Sequence, residues 1–182
     1  MLLGLPDGTR VVVRTITPAD KDRLSEGLAR LSSDAVHSRF LSAKPRLTGQ
    51  ELRYLTEVDG DSHFALVAML SDRLDALVAV ARYVRLADDP STAEVAVTVG
   101  DELQGRGLGT RLGLLLADHA RESGIERFSA SMLTDNVAAH RLFSRISHRM
   151  SRDRFGAVDE VVASWRPRLG GVSVAVRVAV VA

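Results

Sequence analysis

The 182-residue chain contains no cysteine, which excludes disulfides, thiolate metal sites and a cysteine nucleophile. Excess charge is also missing: 24 basic and 23 acidic residues leave a formal net charge of +1, so neither nucleic acid nor an anionic membrane is an expected partner. No stretch approaches the roughly 18 consecutive apolar residues of a membrane-spanning helix, and residues 1–10 lack the basic start of a signal peptide. We therefore expect a soluble, cytoplasmic protein that acts on small molecules or on other proteins.

Candidate metal ligands are scattered. The five histidines form no ligand-like pair such as His-x-x-x-His, and they lie at His37, His63, His119, His140 and His148. No metal site is expected. Hydrophobic residues, in contrast, make up 46% of the chain, enough for one domain with a sizeable core. We assign that domain to residues 1–168 and treat 169–182 as a C-terminal apolar strand or tail, whose pairing across a homodimer is one alternative.

Hydrophobic periodicity divides the chain into alternating strands and helices. Runs of β-branched and apolar residues predict strands over 9–17, 62–70, 76–87, 93–99 and 125–133, and a final hairpin over 147–165. Helical spacing predicts helices over 18–31, 108–123 and 135–146, with a short helix within 32–46. Another helix begins at Thr48, which forms a capping-box pattern with Glu51. The fold class is therefore α/β (α+β).

A glycine-rich loop follows the strand over 93–99. Its glycines occupy alternate positions, Gly105, Gly107 and Gly109, just before a leucine-patterned helix. Such a loop exposes backbone N–H groups and is typical of phosphate binding. A nucleoside-triphosphate P-loop needs a lysine near its last glycine, and a dinucleotide fingerprint needs a glycine where this chain has Thr110. Neither motif accounts for the loop.

The pattern Gln104-x-x-Gly107-x-Gly109, with Asn136 opening the helix after the next strand, resembles motif A of the GNAT superfamily of acyl-CoA-dependent N-acyltransferases. The resemblance covers the order of elements over about 9–165. It implies a GNAT fold, a mixed, mostly antiparallel sheet flanked by helices, with acetyl-CoA in the splay between the fourth and fifth core strands. The loop and the helix start would then hold the pyrophosphate of coenzyme A. By resemblance, the cofactor-binding residues are Val97, Val99, Gln104, Gly105, Arg106, Gly107, Leu108, Gly109, Thr110, Asn136, Ala139 and Phe143.

The reaction of this family is attack of an amine on the thioester of a bound acyl-CoA. A lysine acceptor, with a pKa near 10.4, needs about 4–5 kcal/mol to lose its proton at neutral pH, so a general base is expected. The resemblance assigns that role to Glu94, acting directly or through a water molecule. If Glu94 is only a solvated strand-end residue, then Glu102, Asp101 and His63 are the next candidates.

Backbone and amide groups complete the expected site. By resemblance, the backbone of Val97 and Val99 bonds to the acetyl and pantetheine groups. The side chain of Asn136 would bond to the pantetheine arm, although asparagine is equally a preferred N-cap for the following helix. Both roles are compatible.

One position departs from the family pattern. The family commonly has a tyrosine where this chain has Phe143, and that tyrosine gives a proton to the leaving thiolate. Phenylalanine has no proton to give. Either the thiolate leaves without a side-chain acid, or water or Ser144 supplies the proton, or the protein acetylates weakly or not at all.

These features lead to three functional hypotheses. Because residues 30–68 also look like a segment of bacterial protein lysine acetyltransferases, the first is acetyl transfer from acetyl-CoA to a protein lysine. The second is acyl transfer to a small-molecule amine; the acidic residues Glu57, Asp59 and Asp61 would suit a polycation, or they are only a solvated turn. The third is a non-catalytic acyl-CoA-binding regulatory module.

Overall fold

An eight-stranded mixed sheet organises the part of the chain that the computed structural model describes, residues 1–41 and 46–165. The strands are β1 (Leu2–Gly4), β2 (Arg10–Thr15), β3 (His63–Leu70), β4 (Arg73–Arg85), β5 (Thr92–Val99), β6 (Arg127–Leu133), β7 (Arg149–Phe155) and β8 (Val158–Ser164). The helices are α1 (Lys21–Ala29), α2 (Ser33–Phe40), α3 (Gly49–Thr56), α4 (Leu108–Glu122) and α5 (Val137–Ile146). The expected domain end at 168 and the tail 169–182 lie outside the described residues.

The strands lie in the order β1-β2-β3-β4-β5-β6-β8-β7. Neighbouring strands are antiparallel except β5 and β6, which are parallel and joined through α4. This confirms the mixed, mostly antiparallel sheet flanked by helices. Counted without the short β1, strands β5 and β6 are the fourth and fifth core strands. None of the helices in the described part of the chain is long and apolar enough to cross a membrane.

Pairing between β5 and β6 covers only their first residues. The partners are Thr92 with Arg127, Ala93 with Phe128 and, last, Glu94 with Ser129. Both strands continue, to residues 99 and 133 respectively, but along the described chain their ladder stops there. The sheet therefore opens into a splay beyond Glu94.

The helices cover the two faces of the sheet separately. On one face, α4 packs against β3, β4 and β5, and α5 packs against α4. On the other face, α1 packs against β4, and α2 packs against β5 and β6. The larger hydrophobic cluster, which includes Tyr83, Leu112, Leu116 and Phe128, lies on the α4 face.

Local sequence signals explain two of the helix boundaries. Thr48 and Glu51 form both hydrogen bonds of the predicted capping box at the start of α3. Gly124, with a φ of 78°, follows the last turn of α4, a common position for a glycine after a helix. The predicted apolar face of α4 is also confirmed, since Leu108 and Leu112 are fully buried.

Three features differ from the predictions. The short strand β1 was not predicted, because three residues carry no periodicity; it pairs with β2. Strand β4 begins at Arg73, so the hairpin turn is shorter than the predicted segment 71–75. Finally, β8 lies between β6 and β7, an order that depends on long-range pairing and that hairpin patterns do not specify.

Candidate active site

The glycine loop turns sharply between β5 and α4. Gly105 and Gly107 have φ of 73° and 86°, in the left-handed region that residues with a Cβ disfavour. Gly107 is also the N-cap of α4, and it offers no side chain to the N–H groups of the first helical turn. Such N–H groups, with the positive end of the helix dipole behind them, are suited to bind an anion.

The backbone of β5 presents hydrogen-bonding groups to the splay. Gly100, directly after β5, donates its N–H to the carbonyl of Val78 on β4 at 2.8 Å. Because the backbone groups of successive strand residues point to opposite sides, those of Val97 and Val99 point toward β6. The Nε2 of Gln104 donates to the carbonyl of Val99 at 3.2 Å. The structure therefore brings these predicted residues together at the splay.

Helix α5 brings the last predicted cofactor-binding residues to the same face of the sheet. The Oδ1 of Asn136 accepts the N–H of Ala139 at 3.0 Å, so the expected N-cap is present. Ala139 and Phe143 share one face of the helix, and Phe143 is buried in the hydrophobic core. A Cβ added to Gly109 would lie 3.5 Å from a methyl group of Val99, so α4 and β5 approach closely at the loop.

The remaining predicted residues surround the loop in different ways. Arg106 is exposed, and its Nη1 donates to Asp7 at 3.0 Å. Leu108 is fully buried, so only its backbone N–H faces the anion site. Thr110 lies half-buried in the first turn of α4. Bare N–H groups, the open strand edge and the glycines fit the pyrophosphate and the amide-rich arm of coenzyme A.

Glu94 lies where the splay opens. It is the last β5 residue paired with β6, and its side chain is exposed. Since strand side chains alternate between faces, Glu94 lies on the same face as Ala96 and Thr98, opposite the face that packs against α4. This is the face covered by α1 and α2.

A cavity of about 610 Å³ lies on that face. Its floor includes Val80 and Arg82 from β4 and Ala96 and Thr98 from β5. Helices α1, α2 and α3 contribute Leu24, Leu28, Arg39 and Leu55 to its walls. The volume is in the range of small-molecule sites. The cavity and the glycine loop therefore lie on opposite faces of β5, with the splay between them.

Two arginines that line the cavity, Arg39 and Arg82, have lowered pKa values. Arg82 is 5% exposed; its Nη2 donates to the carbonyl of Leu55 at 3.0 Å, and its Nη1 donates to Nε2 of His63 at 3.1 Å. Burial, together with the charge of Arg39, lowers the pKa of Arg82 to about 10. Burial also lowers the pKa of Arg39, against the opposing influence of Glu94.

The alternative bases have other contacts. Asp101 accepts hydrogen bonds from the backbone N–H and the hydroxyl of Ser32, at 2.8 and 3.0 Å, and so fixes the start of α2. Glu102 pairs with Arg73 at 3.3 Å. Burial, followed by the charge of Arg82, lowers the pKa of His63, and its Nε2 lone pair is directed at that arginine.

Sequence reasoning missed the arginines of the cavity. A signal was present for Arg82, because it is the one charged residue inside the apolar run 76–84. A charged side chain within a strand that is buried on both faces is rarely tolerated without a specific role. For Arg39 the short α2 segment gave no comparable signal.

A glycine loop at a helix N-terminus, beside a splay in a mixed sheet and across β5 from a cavity, is the arrangement of the acyl-CoA-dependent N-acetyltransferases. Residues 31–147, more than half of the chain, match the acetyltransferase (GNAT) family, and the chain belongs to this family. Acetyl-CoA is the acetyl donor of the class.

Individual relatives agree with this assignment. The chain is 38% identical to acetyltransferase Pat of Mycolicibacterium smegmatis over 146 residues, which are 80% of this chain and 43% of that protein. This chain thus spans less than half the length of that relative. The GNAT domain of S. lividans PAT has a TM-score of 0.82 and 29% identity, covering 90% of this chain and 96% of that domain. The acetyltransferase yncA of Salmonella typhimurium, solved with acetyl-CoA, shares the fold, with a TM-score of 0.68 and 19% identity over 88% of this chain and 96% of that one.

Proposed function

We propose that the protein transfers the acetyl group of acetyl-CoA to a primary amine, the side chain of a protein lysine, by direct attack within a ternary complex. Glu94 is the general base. The observation that carries this proposal is the position of Glu94, at the end of the β5–β6 ladder and on the cavity face of β5. A carboxylate there lies between the cofactor splay and the space available to an acceptor.

Other residues of the chain support the same chemistry. The N–H groups of Val97 and Val99 point into the splay and supply fixed donors for the thioester oxygen and the pantetheine arm. The N–H groups at the start of α4 hold the pyrophosphate. Glu94 takes the proton of the attacking amine, directly or through water.

The leaving thiolate has no protein acid beside it in this proposal. Phe143 carries no proton, and the hydroxyl of Ser144 donates to the carbonyl of His140 at 3.0 Å on the exposed side of α5. We therefore assign protonation of the thiolate to water. In this proposal Phe143 affects the rate at which the thiolate is protonated and does not affect cofactor binding.

A protein lysine is favoured over a polycation as the acceptor. The similarity to acetyltransferase Pat and the resemblance of residues 30–68 to protein lysine acetyltransferases support it. The acidic turn does not reach the cavity: Asp59 accepts hydrogen bonds from the backbone of Asp61 and His63, and Glu57 pairs with Lys21 at 2.6 Å. These acids stabilise their own turn instead.

The test is Glu94→Gln, assayed by release of coenzyme A with acetyl-CoA and lysine peptides. Loss of the base should lower kcat by about 10²–10⁴-fold, while thermal stabilisation by acetyl-CoA is unchanged. Glu126→Gln, an exposed glutamate just before β6, is the matched control and should keep wild-type turnover.

Two outcomes contradict the proposal in different ways. If Glu94→Gln keeps its turnover, the base lies elsewhere, and Glu102→Gln in the same assay tests the alternative. If the wild-type protein binds acetyl-CoA but transfers acetyl to no amine, the non-catalytic module is the correct description.

A further inference from the structure

Arg82 carries a charge that its hydrogen-bond partners among the described residues do not neutralise. Its two hydrogen-bond partners are a carbonyl and an imidazole, and that imidazole is biased toward the neutral form by burial. Among residues 1–41 and 46–165, no carboxylate lies within ion-pair distance of Arg82. The guanidinium has five N–H donors, so donors remain for a further acceptor.

The rim of the same cavity is different. Arg30 lies within 3.9 Å of Glu26, and Arg73 within 3.3 Å of Glu102. Both arginines have side chains about half exposed, so water and a carboxylate satisfy them. Arg82 therefore differs from these two rim arginines, since it lies on the floor of the cavity away from their carboxylate partners.

An unbalanced guanidinium is costly in this position. The surrounding walls are largely aliphatic, including Leu24, Leu28, Leu55 and Val80, so solvent screens the charge poorly. Apolar residues in place of buried charges often leave a protein equally or more stable. Packing alone therefore does not explain an arginine at position 82, and we look for a function of its charge.

Strand register relates Arg82 to Glu94. Arg82 is paired with Ala96, and Glu94 is paired with Val84, so Arg82 and Glu94 are diagonal neighbours on one face of the sheet. Diagonal neighbours lie about 7–8 Å apart between backbones. Arg39 adds a second guanidinium whose charge interacts with both of them. An acceptor whose amine reaches Glu94 is therefore close to the positive charges of Arg82 and Arg39.

We propose that the cavity contains an oxyanion subsite, built on Arg82, that binds a carboxylate carried by the acceptor close to the amine that is acetylated. This inference rests on the proposed function, since it names the acceptor of the same site. The planar fork of arginine matches a carboxylate with two parallel hydrogen bonds. The carboxylate comes either from an acidic side chain next to the lysine or from the acceptor's own terminus.

Matched acceptors test the subsite. One pair consists of peptides in which the residue after a single lysine is glutamate or glutamine, and the other pair is free lysine and lysinamide. The wild-type protein should favour the carboxylate member of one pair by about tenfold or more in kcat/KM. The pair that shows the preference identifies the source of the carboxylate.

Two variants assign the preference to its residue. Arg82→Met should reduce the ratio within the favoured pair to about one. Arg30→Met makes the same chemical change at the rim and should keep the wild-type ratio. Equal rates for both members of both pairs in the wild type, or an unchanged ratio in folded Arg82→Met, would overturn the proposal.

A binding measurement separates this proposal from the proposed function. Succinate, compared with choline chloride at equal ionic strength, should raise the Tm of the wild type and of Arg30→Met but not that of Arg82→Met. If succinate binds but no acetyl transfer is detected, the oxyanion subsite is supported and the proposed acetyltransferase activity is refuted. If acetyl transfer is detected without succinate binding or a preference for carboxylate acceptors, the activity is supported and the subsite is refuted. The wild-type measurements decide the question even if Arg82→Met does not fold.

Discussion

Gly107 is the residue at which the cofactor site can be perturbed most cleanly. Its φ of 86° is left-handed, and a Cβ added there would meet only Pro6, at 3.9 Å, an ordinary contact. Gly107→Ala therefore creates no steric clash, and its cost is the backbone strain of about 1–2 kcal/mol for an L-residue in this conformation. For a chain of this size that lowers Tm by about 2–8 °C.

The same substitution at the other end of α4 is a matched control. Gly124 has a φ of 78°, with nothing within 4 Å of an added Cβ, so Gly124→Ala should cost about the same 1–2 kcal/mol. A helix of 15 residues places it about 22 Å from the loop. Only Gly107→Ala should reorient the N–H groups that we propose hold the pyrophosphate.

Thermal unfolding with acetyl-CoA, coenzyme A, NAD and ATP in parallel measures the difference. At about 100 times its Kd, acetyl-CoA should add about 2.7 kcal/mol to the wild type and to Gly124→Ala. A tenfold weaker site in Gly107→Ala reduces this to about 1.4 kcal/mol. Equal stabilisation of both variants, or stabilisation of the wild type by NAD or ATP but by neither CoA species, would refute the assignment of the loop.

Two further predictions concern stability and rate. Asp20 is fully buried and accepts two hydrogen bonds of 2.6 Å from Arg14; burial would raise the pKa of Asp20, but the bonds from Arg14 and Thr17 outweigh it and lower the pKa to about 2. Asp20→Asn should therefore cost about 2–3 kcal/mol in urea unfolding at neutral pH. The difference from wild type should begin to shrink as the pH falls below 3.8, the ordinary pKa, and fade as it falls through about 2, because a carboxyl group with a lowered pKa stabilises the fold only while it is ionised. Phe143→Tyr should raise kcat by about tenfold or more if protonation of the thiolate limits turnover, with the KM for acetyl-CoA unchanged; an unchanged kcat would place the slow step elsewhere.

The sequence predicted the elements that periodicity and caps determine. The structure contains the predicted strand before the loop, the helix predicted over 108–123, and the capping box of Thr48 with Glu51. The cap of Asn136 on α5 is also as predicted. These features depend on residues within one or two turns of one another, so a single sequence contains the necessary information.

Features that depend on long-range pairing were not predictable in this way. The position of β8 between β6 and β7 arises from the pairing of β8 with the distant strand β6. The cavity has the same origin: Arg39 comes from α2, Arg82 from β4 and Leu55 from α3. Their proximity follows from strand register and helix packing, which periodicity does not encode.

Strand β5 contributes to both the splay and the cavity, because its backbone groups and side chains alternate in direction along the strand. The backbone groups of Val97 and Val99 point toward the splay, while the side chains of Ala96 and Thr98 line the cavity on the opposite face from α4. A slip of one residue in register exchanges the two faces, so it would bury Glu94 against α4 and remove it from the acceptor side. The register of the seven paired positions between β4 and β5 therefore determines which side chains face the cavity as well as how the sheet is built. In the proposed site, Val97 and Val99 need only be apolar, because their backbone provides the hydrogen bonds. Glu94 and Arg82, in contrast, act through their side chains in that proposal.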